Sequence, residues 1–295
     1  MKRIAPFHAL TLFFLCGLIL LALFFRGRIP QWHGLILRYL LWIGLLFVIK
    51  LSCERGMGWF REFVHTFSSI LFIVFIYESL GDLIQYLRLD IDQTLIRIDL
   101  FLFGVHPTLW MEQWIVPWFT DLMSLAYLSY YFLPVTFVLT LYLKDRPGLH
   151  PTLFVLTLGY YVSFIGYIFF PAVGPRFAME HLYTIPLRGS FITDLVRDGL
   201  NAIEHNKRDC MPSGHTQIVL MVLYLAHRYE RILFYVFLPV VSGLVLATVY
   251  LRYHYVIDLM VGAALAVFCV TIGPRFYEWW SQPGISTKLQ APNHK

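Results

Sequence analysis

Hydrophobic residues make up 58% of the 295 residues and charged residues only 14%, against roughly 45–50% and about 25% in soluble globular domains, which excludes a water-soluble body. The net charge of +5 arises from 23 Lys and Arg scattered through short segments with no contiguous basic face, which excludes a nucleic-acid interface. The four cysteines, Cys16, Cys53, Cys210 and Cys269, have neither paired nor CxxC spacing, so neither a disulfide framework nor a zinc site is expected; Cys16 reads as a buried thiol.

Unpaired backbone groups are costly in hydrocarbon, so membrane-crossing segments are helices of about 20 apolar residues. Apolar runs place eight of them, at 7–25, 35–51, 63–80, 119–143, 153–170, 215–226, 232–250 and 255–272. The first follows Lys2 and Arg3 but ends in Phe24, Phe25 and Arg26 without a small-residue cleavage site, so it reads as an anchor rather than a signal peptide. Between the third and fourth runs, residues 81–118 carry Asp82, Asp90, Asp92, Asp99 and Glu112 among apolar residues and read as an interfacial helix with a turn. Pro117, Pro134, Pro151 and Pro171 mark helix ends or kinks. Residues 171–212 carry PAVGPRF and then a polar stretch ending in NKRDC. The sixth run is short for a full crossing. The tail from Gln282 is polar, with Pro and Gly, and reads as disordered. If the five cations of the long 171–212 segment are discounted, Lys and Arg favour a cytoplasmic N-terminus, with both long connections outside.

Two segments carry chemistry. In Cys210-Met211-Pro212-Ser213-Gly214-His215-Thr216, Pro212 and Ser213 suit the first turn of a helix, Pro through its fixed φ and Ser as a cap. Free N–H groups around Gly214 then face outward at the positive end of the helix dipole, where oxyanions bind, and His215 on the same turn can exchange a proton. In Arg252-Tyr253-His254-Tyr255-Val256-Ile257-Asp258, His254 and Asp258 are spaced i, i+4 and share one helix face. Asp258 is expected to accept one imidazole N–H, fixing the tautomer and freeing the other nitrogen as a nucleophile. Arg252 at the helix entrance is placed to hold phosphate oxygens. Two crossings separate His215 from His254, so both begin on one side, together with Arg176, Lys207 and Arg208. Lys144 and Arg146 fall on the opposite face.

PSGH followed about forty residues later by HxxxD resembles the type 2 phosphatidic acid phosphatase superfamily, whose helical core is shared with vanadium-dependent haloperoxidases. The forms RYHYVIDLMVG, FPAVGPRF and LFGVHPTLW…LAYLSYYFLP are closer to the branch that contains inositol phosphorylceramide synthase. The resemblance covers roughly residues 95–272. It implies an all-α polytopic transmembrane bundle: N-terminal spans over 1–85, a six-helix phosphatase-like core over 86–272, and a polar tail over 273–295. It further implies that His254 attacks phosphorus, Asp258 orients it and His215 protonates the leaving alcohol. Arg176, Arg252, Arg208, Lys207, Ser213 and Gly214 are the expected phosphate ligands. The family's Lys-x6-Arg-Pro motif is absent, with Arg176 its nearest equivalent, and Ala247 and Thr248 stand where the family has Ser-Arg. The expected activity is hydrolysis of a lipid phosphate or phosphodiester in the bilayer, or transfer of its headgroup to an alcohol acceptor. No metal or other cofactor is expected, and the site is expected to face outward from a plasma or inner membrane. The competing reading is a catalytically silent phospholipid-binding or scaffolding protein.

Other residues take plainer readings. Lys207 and Arg208 can instead pair with Glu204 and Asp209. His106, His150 and His181 read as loop residues. Tyr127, Tyr130, Tyr131, Tyr160, Tyr161 and Tyr167 are candidates to line a lipid headgroup pocket, with aromatic packing or interfacial belts the default for most of them; Glu78 and Asp82 are candidates for headgroup specificity, with a carboxylate facing water at a helix end the default.

Overall fold

The computed structural model describes residues 4–54, 58–203 and 205–281; the reading of the tail from Gln282 falls outside them. Among the described residues the chain is all helical, in the order α1 (Pro6–Phe24), α2 (Trp32–Glu54), α3 (Trp59–Ile84), α4 (Asp92–Phe103), α5 (Pro107–Trp110), α6 (Pro117–Leu128), α7 (Leu133–Leu143), α8 (Leu149–Phe169), α9 (Pro175–Ala178), α10 (Thr193–Ile203), α11 (Gly214–Tyr229), α12 (Arg231–Tyr250) and α13 (Val256–Ser281). Pro6, Pro107, Pro117 and Pro175 open their helices, where the missing N–H has no helical partner to lose and φ is already set.

Helices α1, α2, α3, α8, α12 and α13 are long and apolar enough to cross a bilayer. The run expected as one span over 119–143 is broken. Ser129–Tyr131 tightens to a 3-10 turn, and α6 and α7 meet at 45°. Pro134, in the first turn of α7, cannot continue a preceding helix because it lacks an N–H and its ring crowds the turn before. Helix α11 has 16 residues, about 24 Å at 1.5 Å per residue.

Helix α8 is the seam of the molecule. Its first half, through Phe154, Val155 and Leu156, packs into a core with Phe137, Val222, Leu244 and Ala266 of α7, α11, α12 and α13. Further along the helix, Tyr161, Phe164 and Tyr167 pack with Leu15, Tyr39, Ile76 and Leu80 of α1, α2 and α3. The N-terminal helices are thereby joined to the bundle through a continuous apolar core. Cys16 is exposed rather than buried; α1 is apolar all round, so its sequence has no period to show which face turns inward.

Both long connections lie over one end of the bundle and contain helices. The interfacial helix expected in 81–118 is α4, closed by Gly104 in the left-handed region at φ 71°. Its Phe101 is 87% exposed, as suits a helix lying on apolar lipid. His106 precedes α5 and His181 lies in a 3-10 turn, whereas His150 belongs to the first turn of α8, near the ring of Phe7. At the other end of the bundle, Glu230 between α11 and α12 accepts Lys144 at 2.8 Å and Arg146 at 3.5 Å, so that basic pair is remote from His215.

Candidate active site

Ser213 caps α11: its Oγ accepts the Thr216 N–H at 3.2 Å. Pro212 therefore precedes the cap instead of occupying the first turn, because a proline before the cap leaves Ser213 free to take the extended φ, ψ a cap needs. The helix opens on Gly214 and carries His215 at its second position, buried beneath Tyr127 and Tyr130, with ring centroids 4.6 and 4.2 Å away. The Ser213 N–H donates to the Asp258 carbonyl at 3.1 Å, tying the start of α11 to the start of α13.

The two imidazoles meet. His215 Nδ1 and His254 Nε2 are 3.2 Å apart, with ring centroids at 5.4 Å. The partner of His254 Nδ1 is the Cys210 carbonyl at 2.9 Å. A carbonyl only accepts, so Nδ1 carries the proton, Nε2 of the neutral ring holds the free lone pair, and His215 Nδ1–H donates to it. Asp258 was expected to set this tautomer, but its Oδ2 is 3.6 Å from Nδ1, beyond hydrogen-bond reach. Oδ2 instead accepts the Cys210 thiol and the Tyr255 N–H, both at 2.9 Å. The i, i+4 spacing fails because His254 lies before the helix, not within it. Cys210, which no spacing motif marks, thus serves both groups, through its main chain and its side chain. Burial first, and the adjacent negative charge of Asp258 second, push its thiol well above the usual range. Cys210, His254 and Asp258 are also the cluster among the described residues whose ligand-type atoms converge, within 4.8 Å; the His254 and Cys210 protons are already committed to acceptors there.

The expected phosphate ligands divide. Arg176 shares a small recess with Tyr127, Tyr253, Asp209 and both imidazoles. Its guanidinium lies 4.5 Å over the Tyr253 ring, and its backbone N–H donates to the Arg252 carbonyl at 2.8 Å. Gly174, at φ 87°, makes that approach possible, since a Cβ there would stand 2.6 Å from the Tyr253 carbonyl. Arg252 does not reach the recess. Its Nη2 donates to Glu112 Oε1 at 2.8 Å and to the Ile185 carbonyl at 2.7 Å, and the group stacks 3.7 Å over Tyr183. Arg208 is likewise turned away, bidentate on Asp90 at 2.7 and 3.1 Å. That replaces the pairing expected with Glu204, which lies outside the described residues, or with Asp209, which accepts from Tyr77 at 2.7 Å. Lys207 lies beside Phe177 on the surface, and Ser213 is occupied as a cap.

The acidic residues of 81–118 hold this end together. Asp92 accepts the Val173 and Gly174 N–H groups and the Tyr255 hydroxyl. Asp99 accepts Val256 and Ile257 N–H at 2.8 and 2.9 Å, capping α13 from another helix. From α6, Asp121 caps α10 in the same manner. Asp82 pairs with Arg38 and His205 rather than facing water alone. Tyr130, Tyr131, Tyr160, Tyr167 and Glu78, for which packing or solvation is the default reading and a pocket the alternative, line a larger cavity beside His215; Tyr161 does pack, stacked on Phe14 at 4.5 Å.

A family profile described as the PAP2 superfamily matches residues 93–272. The chain belongs to the PAP2 superfamily. This PAP2 protein is also 29% identical over 119 residues to a PA-phosphatase related-family protein of Dictyostelium discoideum, a match covering 39% of the chain and 21% of that relative. The chain thus spans about a fifth of the length of the relative it matches. No solved structure matches it. With its membrane-crossing helices, it is a multi-pass membrane protein of a phosphatase family.

Proposed function

We propose that this PAP2 protein is a membrane-embedded lipid phosphatase or phosphotransferase that works through a phosphohistidine on His254. One observation carries the reading: Nε2 of His254, its lone pair freed by the Cys210 carbonyl, faces His215 Nδ1 at 3.2 Å beside Arg176. The phosphoryl group takes the place of that hydrogen bond. The Nε2 lone pair forms the N–P bond as the P–O bond to the lipid alcohol breaks. The leaving oxygen keeps the bonding pair and takes the Nδ1 proton of His215 in its imidazolium form, which the bound phosphate's negative charge favours, leaving that ring neutral. In the second step His215 accepts a proton from water or from an acceptor alcohol, whose oxygen attacks phosphorus and returns the pair to Nε2. Arg176 meets the charge spread over the non-bridging oxygens. The residues propose no step that calls for a metal.

The substrate is a lipid phosphate whose chains remain in the bilayer, with an alcohol acceptor if the reaction is transfer; the sequence forms shared with the inositol phosphorylceramide synthase branch support transfer. The cation distribution supports an outward-facing site in a plasma or inner membrane. The silent alternative draws on Ala247 and Thr248, which supply no charge where the family has an arginine.

Labelled phosphatidate and polyprenyl phosphate, offered to the purified protein with and without inositol, separate these outcomes. Free phosphate identifies a hydrolase, a new diester a transferase, and no turnover the silent protein. His254→Ala and His215→Ala are each expected to remove turnover, and vanadate to inhibit it; wild-type rates in either variant would falsify the mechanism.

A further inference from the structure

Beside the imidazole pair lies a cavity of ≈ 260 Å³ bounded by α3, α7, α8 and the first turn of α11. Its walls are graded. Ile73, Val74, Val135, Val138, Leu153 and Leu156 dominate its length, bordered also by Thr157 and by Ser69, whose hydroxyl is committed to the Thr66 carbonyl, and the polar groups of Tyr77, Glu78, Tyr167 and Asp209 gather with His215 at one end. Helices α3 and α7 touch at the far end, where the rings of Phe63 and Phe67 meet Tyr142 at 5.9 and 5.6 Å. Toward His215 they stand on either side of the cavity. Val74 and Val135 on these facing walls are 50% and 39% exposed, so the slot opens sideways, toward the lipid phase. From Ser69 to Glu78 on α3 it extends nine helical rises, about 14 Å.

We infer that this slot receives the hydrocarbon chain of the lipid phosphate, and that α3, which lies before the family-matched residues 93–272, sets which chain lengths are turned over. The inference rests on the proposed roles of His254 and His215. The gradient decides the occupant. A polyol acceptor would leave its hydroxyls unpaired along the aliphatic length, whereas an amphiphile satisfies both ends, its chain among the valines and leucines and its phosphate at the imidazoles. The sideways opening lets such a chain enter without leaving hydrocarbon.

Alkyl phosphates from butyl to hexadecyl, offered to the full-length protein in detergent, test this by release of free phosphate. Wild-type kcat/KM is expected to rise roughly tenfold or more along the series, because a longer chain makes more packing contacts with the slot walls. Val74→Trp and Val135→Trp, filling the slot from opposite walls, are expected to abolish that rise and leave butyl phosphate within about threefold of wild type. Leu71→Trp, on an exposed position of α3 outside the slot, is expected to keep the full series. In parallel, hexadecyl phosphate is expected to raise the Tm of the wild type and not of Val74→Trp, with butyl phosphate shifting neither. A wild-type rate independent of chain length, or Trp variants that follow the wild type or slow every chain alike, overturns the inference. If no alkyl phosphate is turned over and the Tm pattern holds, the slot stands and the catalytic reading falls.

Discussion

Asp258 and His254 stand 3.6 Å apart at their nearest recorded atoms, Oδ2 and Nδ1, while the Cys210 carbonyl holds that same nitrogen at 2.9 Å. The carboxylate therefore acts on the imidazole through charge rather than by fixing its tautomer. Asp258→Asn keeps an oxygen for the Tyr255 N–H and removes the charge. It is expected to lower kcat by roughly 10–100-fold, the range for a residue supporting a site from outside it. His254→Ala is expected to lose at least about 10⁴-fold, measured as phosphate release. Equal losses in the two variants would return the tautomer to Asp258.

A main-chain lock survives a change of side chain. Cys210→Ala is expected to stay within about tenfold of wild-type activity, because the carbonyl remains and only the thiol's contacts to Asp258 and the Tyr253 carbonyl are lost. With its thiol held well above the ordinary range, Cys210 stays protonated through neutral and mildly alkaline pH. Maleimide applied to the folded protein at pH 8 is therefore expected to leave Cys210 unlabelled by peptide mapping, and to modify it after unfolding.

Arg252 and Glu112 form a nearly buried pair, their side chains 9% and 12% exposed. Removing either partner leaves the other charged in a desolvated place, which costs about 3 kcal/mol. Glu112→Ala and Arg252→Ala are each expected to lower stability by about that amount, and the double variant by clearly less than the sum, read from unfolding in detergent. A purely additive cycle would show the pair to be uncoupled.

Gly214 sits directly under the Tyr167 hydroxyl, which a Cβ would strike. Gly214→Ala is expected to displace the turn that carries His215 and reduce activity by at least roughly tenfold. Adding Tyr167→Phe opens that space and is expected to recover most of the loss. Failure of the second change to help would place the cause of the defect elsewhere than at Tyr167.

The contrast between what the residues announced and what they concealed has a physical basis. Hydropathy is local, so six of the eight apolar runs were legible as helices long enough to cross a bilayer, and PSGH with HxxxD singled out His215 and His254, two rings that do meet, although the i, i+4 spacing of the second string did not describe a helix face. Partners were not legible, because they join distant segments: Arg252 to Glu112, Arg208 to Asp90, and Asp99 to the first turn of α13. A hydrogen bond to the main chain of Cys210 depends on no side-chain identity and leaves no sequence signature. Likewise the lipid-facing position of Cys16 on α1, apolar on every side, had no polar period to reveal it.

The 16 residues of α11 give it a length well short of the roughly 30 Å hydrocarbon layer of a bilayer. A headgroup brought to its first turn is drawn below the plane of its neighbours, so the membrane must dimple there or the lipid must be pulled down. On the proposed reaction, the thickness of the host bilayer would then bear on turnover: thin membranes would present the phosphate at the depth of the first turn of α11, and thick ones would oppose its descent.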